Sequence, residues 1–108
     1  MQIEAEAIVN YARQNGLKMV RGGVGEYNNY CARAVIKHAL GFHKPFHTDG
    51  LSMYDPKVHE AAGLTREQMD ALEEGFDYAH QPDDEITKGK YAMEYYRMGQ
   101  RIAELAGL

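Results

Sequence analysis

One cysteine, no tryptophan and three prolines occur among 108 residues, and each scarcity narrows what the chain can be. The lone Cys31 cannot form an internal disulfide, so the fold has to rest on packing, which suits a reducing cytoplasm. No apolar run approaches the ~18 residues of a membrane span. The opening MQIEAEAIVNYARQNG carries acidic residues where a secretory signal carries positive charge, so neither membrane insertion nor export is expected. A basic stripe is missing too: residues 1–50 balance to +2 and residues 51–108 to −6. Nucleic-acid binders draw most of their affinity from clustered Lys and Arg on phosphates, so direct nucleic-acid binding is not expected. Gly22, Gly23 and Gly25 form neither a dinucleotide fingerprint nor a phosphate loop, and no cofactor is expected.

What is present describes a globular domain. Apolar residues make up 44% and charged residues 26%, and a chain of this length buries roughly 60 to 70% of its unfolded surface as one domain. The expected fold is all-α over 1–108, a compact bundle of four to five helices with an irregular loop at about 41–55.

The periodicity places the first helix over 2–15, with Ile3, Ala7, Ile8, Tyr11 and Ala12 inward and Gly16 ending it. LKMVRGGVGE reads as a connector with a short extended piece at 17–20. A second helix is predicted from a cap at Asn28 or Asn29 to about Leu40, with Cys31, Ala34, Val35 and His38 on one face and Arg33 and Lys37 outward. Asp55-Pro56 starts a short helix that ends at Gly63. Thr65 with Gln68 forms a capping box for the helix over 66–80. A final helix is predicted over about 88–106.

Four sets of residues could carry function. Cys31, near a helix amino terminus, sits where free amides and the helix dipole stabilise a thiolate. A cysteine-dependent hydrolase with Cys31 as nucleophile is therefore one reading. YCARAVIKHAL resembles the cysteine-bearing helix of papain-like peptidoglycan amidases and peptidases, which implies a histidine delivered on a downstream strand. His38 cannot be that base, because seven residues of helix are ~10.5 Å of rise against the ~3 Å that proton transfer needs. The competing reading, preferred here, is a small residue buried beside Ala34 and Val35. A metal site would draw on His43, His47 and His59, but Pro45 separates the two nearest and breaks any i, i+4 geometry, so solvated loop histidines are the expectation.

Glu67, Asp70, Glu73, Glu74 and Asp77 line the outer side of the fourth helix, where they could attract a basic protein partner. Along the last helix Tyr91, Tyr95, Met98, Ile102 and Leu105 recur in steps of four and three. Beside them runs a strip of small residues including Ala92, Gly99 and Ala103, and the pair suits close packing within the domain or across a homodimer.

Residues 26–41 together with AAGLTREQMDALEEGFD at 61–77, and the tail YYRMGQRIAELAGL, resemble a loose group of small helical proteins of unassigned function in bacteria and their phages. Where that group tends to have glycine soon after Cys-Ala, this chain has Arg33. The resemblance implies a phage-encoded protein in the host cytoplasm and carries no activity. The functional expectation is a small non-enzymatic helical protein that binds another protein and forms a homodimer.

Overall fold

Local signals set most of the helix ends. The computed structural model describes residues 1–44, 48–78 and 93–108. Helix α1 (Ala5–Gln14) stops where Gly16 takes φ +67° and the Leu17 N–H turns back to the Ala12 carbonyl at 2.8 Å. Helix α3 (Pro56–Ala61) begins with the Asp55 carboxylate accepting from the Lys57 N–H at 2.9 Å. Helix α4 (Arg66–Asp77) opens with the reciprocal capping box, Gln68 N–H to Thr65 Oγ1 at 3.1 Å and Thr65 N–H to Gln68 Oε1 at 2.9 Å. Helix α5 spans Met93–Leu105; the start expected near residue 88 lies outside the described residues.

The all-α expectation is corrected by a small mixed sheet. Strands β1 (Lys18–Met19), β2 (Val24–Glu26) and β3 (Asn29–Tyr30) lie in the order β1-β3-β2, with β1 parallel and β2 antiparallel to the central β3. Strands of two or three residues are too short to show an alternation, and the connecting turn is not the usual Asn-Gly pair. Tyr27 and Asn28 make that turn, both with positive φ, at 53° and 58°. Gly25, at φ 86°, absorbs the register shift between the Val24–Tyr30 and Glu26–Asn29 pairs.

The sheet also moves the start of helix α2, which runs over Ala32–Ala39 with Cys31 as its cap rather than Asn28 or Asn29. Asn29 and Tyr30 are held in β3. The Val20 N–H reaches the Tyr30 carbonyl at 3.0 Å, and the Cys31 N–H reaches that of Gly23 at 3.1 Å.

The core gathers Ile8 and Val9 from α1, Val35 and Ile36 from α2, Val58 from α3, Leu72 and Phe76 from α4, and Ile102 from α5. Helices α4 and α5 form the most extensive pairing. They meet through Gly75 and Gly99: a Cβ on Gly75 would collide with the Tyr96 carbonyl, and one on Gly99 with the Leu72 carbonyl. The expected strip of small residues thus serves, at Gly99, a backbone-to-backbone approach inside this chain.

Candidate functional site

The segment from β2 through α2, together with residues 51–54 and α4, holds most of the polar chemistry. Cys31 ends the sheet and caps α2. Its Sγ accepts from the Ala34 N–H at 3.4 Å and donates toward Met53 Sδ at 3.8 Å. The residue is 1% exposed. Burial pushes the thiol up to about 12; the Ala34 amide opposes this, while Glu73 and Asp77 add repulsion against a thiolate. Desolvation therefore outweighs the helix amino terminus, and the sulfur stays a protonated donor at neutral pH. Among the described residues no hydrogen bond joins it to a histidine.

One helical step on, Arg33 departs from its expected outward position: it is 4% exposed and points into the α2–α4 junction. One guanidinium nitrogen bonds Asp70 Oδ1, and Nε lies 2.8 Å from Glu73 Oε2, a contact of charge rather than an aligned hydrogen bond. The Tyr54 ring covers the guanidinium, 4.7 Å from Cζ to the ring centroid, and the Tyr54 hydroxyl donates to Glu73 Oε1 at 3.1 Å. Burial raises the Glu73 carboxyl, with Arg33 and the Tyr54 bond opposing. The Tyr54 hydroxyl is pushed up to about 12 by burial and by Glu73. A buried guanidinium needs such partners, because leaving it unpaired costs several kcal/mol.

The acidic row on α4 is thus partly occupied. Asp70 and Glu73 hold Arg33, and Asp77 accepts from the Gly22 N–H at 2.9 Å, tying α4 to the β1–β2 connection. Glu67 is exposed and Glu74 half-buried. On α5, Ile102 lies in the core while Tyr95, Met98 and Leu105 pack against it; Tyr91 and Ala92 lie outside the described residues.

The histidines separate. His38 Nδ1 is 2.7 Å from the Tyr11 hydroxyl, and its ring stacks on His43 at 4.1 Å. His59 Nδ1 bonds the Leu64 carbonyl at 3.0 Å, and His47 lies outside the described residues. Among the described residues no group of three or more His, Cys, Asp or Glu side chains is placed to hold a metal ion, and no helix is long and apolar enough to cross a membrane.

The structure adds a surface that pattern reading passed over. Tyr27 is 93% exposed at the tip of the β2–β3 turn, Val24 is 57% exposed and Tyr54 58%. Val24 and Glu26 line both a cavity beside Tyr27 and a second beside Tyr54 and Leu51, so the two cavities adjoin. Asn28 Nδ2 donates to the Gly16 carbonyl at 3.1 Å and pins the turn to the end of α1. A short connector rich in glycine gives no period from which exposure could be read. Comparison with protein-family models, curated proteins and solved structures finds no match to this chain.

Proposed function

We propose that this protein acts by binding another protein, without covalent catalysis, in the cytoplasm of its host cell. The observation that carries the reading is the exposed surface of Tyr27, Val24 and Tyr54. Aromatic side chains left in water are the anchors that protein interfaces use most. The two-residue β2–β3 turn requires positive φ at both Tyr27 and Asn28, while the Tyr27 side chain, almost wholly exposed, adds nothing to the core.

At the Tyr54 end the surface meets α4, where Glu67 is exposed, Glu74 half-buried and Asp70 already paired with Arg33 and Arg66. A partner with an apolar contact strip and a basic margin complements it. The hydrolase reading lacks a nucleophile, because burial keeps the Cys31 thiol protonated and covered by Met53. Of the α5 residues expected at a homodimer seam, Ile102 lies in this chain's own core and Tyr95, Met98 and Leu105 pack against it.

The test is recovery of associated proteins from the source cell with the wild type and with a Val24→Ser/Tyr27→Ser variant whose helical signal is unchanged. The reading expects one reproducible protein partner, lost in the variant and weakened by salt. An association that survives both changes refutes it.

A further inference from the structure

Lys37, His38, His43 and Lys44 all line one small cavity at the carboxyl end of α2. Among the described residues no carboxylate lines it; the rest of its wall is apolar, glycine or the Tyr30 ring. About 20 Å³ is open to the centre of a water-sized sphere, which is room for one oxygen-sized occupant. His43 and Lys44 are exposed at its rim, whereas Lys37 and His38 are half-buried.

The donors are set in place by their neighbours. The Tyr11 hydroxyl and His38 Nδ1 share a hydrogen bond at 2.7 Å, and in the tautomer in which the hydroxyl donates the ring keeps its proton on Nε2 as a further donor. Lys37 Nζ gives one hydrogen to the Lys44 carbonyl at 3.0 Å and keeps two. The His43 ring lies 14° from parallel with that of His38, and the Tyr30 ring meets His38 edge-on. Among the described residues no carboxylate answers these side chains, and the carboxyl end of α2 offers only the partial negative charge of its dipole. The His38 pKa is lowered by burial first, then by His43 and Lys37, and burial lowers Lys37 as well.

We propose that the cavity is a binding site for a tetrahedral oxyanion, inorganic phosphate or the phosphoryl end of a monoester, with one oxygen seated between Lys37 and His38 and the others facing His43 and Lys44. The anion supplies counter-charge to Lys37 and Lys44, and it binds more tightly as pH falls and His38 takes up a proton. The titratable groups facing His38 are Tyr11 from α1, Tyr30 from β3, Lys37 from α2, and His43 with Lys44 from the segment after it. Glu26 lines the adjoining cavity with Lys37 and does not line this one.

The experiment is a titration of the whole chain with inorganic phosphate at pH 7 and constant ionic strength, read by the side-chain nitrogen resonances of His38 and His43. Saturable shifts are expected, with the His38 pKa rising by about one unit, as an adjacent opposite charge produces. Lys37→Met and His43→Phe should each weaken binding about tenfold, a 1.4 kcal/mol change. His43→Phe keeps a stacked ring and carries the test if Lys37→Met fails to fold. Glycerol 3-phosphate is the second arm: binding of both ligands identifies a monoester end, and of phosphate alone the free ion. Shifts that sodium chloride reproduces at equal ionic strength, or affinities unchanged in both variants, overturn the proposal.

Discussion

Replacing Gly99 by alanine sets two effects of opposite sign against each other. In an open helix the change stabilises by ~1 kcal/mol, because alanine has the higher helix propensity. At Gly99 the new Cβ would overlap the Leu72 carbonyl oxygen and lie 2.7 Å from the Phe76 nitrogen. Both are backbone atoms, so no rotamer change relieves the contact and α4 and α5 must separate by about 1 Å, which forfeits up to half the dispersion energy of the contacts between them. Overpacking of this kind costs ~3 kcal/mol, leaving a net loss of ~2 kcal/mol. At ~4 °C per kcal/mol for a domain of this size, Tm falls by about 8 °C. Urea unfolding followed by circular dichroism at 222 nm measures it, with Glu94→Ala on the exposed side of α5 as a control within ~0.5 kcal/mol. Gly75→Ala collides with the Tyr96 carbonyl and should behave alike, and the double variant should lose less than the sum, since one separation relieves both contacts. A Gly99→Ala protein as stable as the wild type, or more so, would refute the close crossing.

Arg33→Ala strips the partner from Glu73 and should cost ~3 to 5 kcal/mol, measured by the same unfolding curves, whereas Arg66→Ala, at an exposed pair with Asp70, should cost under ~1 kcal/mol. Alkylation of Cys31 at pH 7.5 should proceed only as fast as the chain opens, rising steeply with urea; a rapid reaction in native buffer would contradict the buried thiol. The folded thiol is raised from 9.0 to about 12, so the unfolded chain releases this proton first: the contribution of Cys31 to stability is full below pH 9 and lost as pH climbs from 9 toward 12. Cys31→Ser should lack that slope in urea midpoints taken from pH 8 to 10, below the range where Tyr54, raised from 10.0 to about 12, adds a slope of its own. Ile102→Glu puts a charge in the core and should unfold the chain rather than divide a dimer, so sizing alone is not enough and the far-ultraviolet signal has to be read beside it.

Where chemistry acts within a few residues, the sequence was sufficient. Asp55-Pro56, the Thr65/Gln68 box and Gly16 each mark a helix end through contacts no more than five positions apart. The buried positions of Ile8 and Val35 follow from the same near-helical spacing, whereas that spacing left open whether Ile102 faces its own core or a partner. Arg33 did not follow, because a charged residue reads as outward until Asp70 and Glu73 arrive from 37 and 40 positions away. The mixed sheet was legible only at β1, which lies in the extended piece expected at 17–20; its pairing with β3 joins residues 11 apart in strands too short to carry a pattern. Cys31 shows the division most clearly. Its place at a helix start was legible within three residues and argued for a reactive thiolate, but its charge state is governed by how much water reaches it. Burial under neighbours such as Met53 decides that, with repulsion from Glu73 and Asp77 added, and only the folded chain brings them to the sulfur. Short-range hydrogen bonding is written along the chain, whereas desolvation and charge pairing depend on what lies close in space.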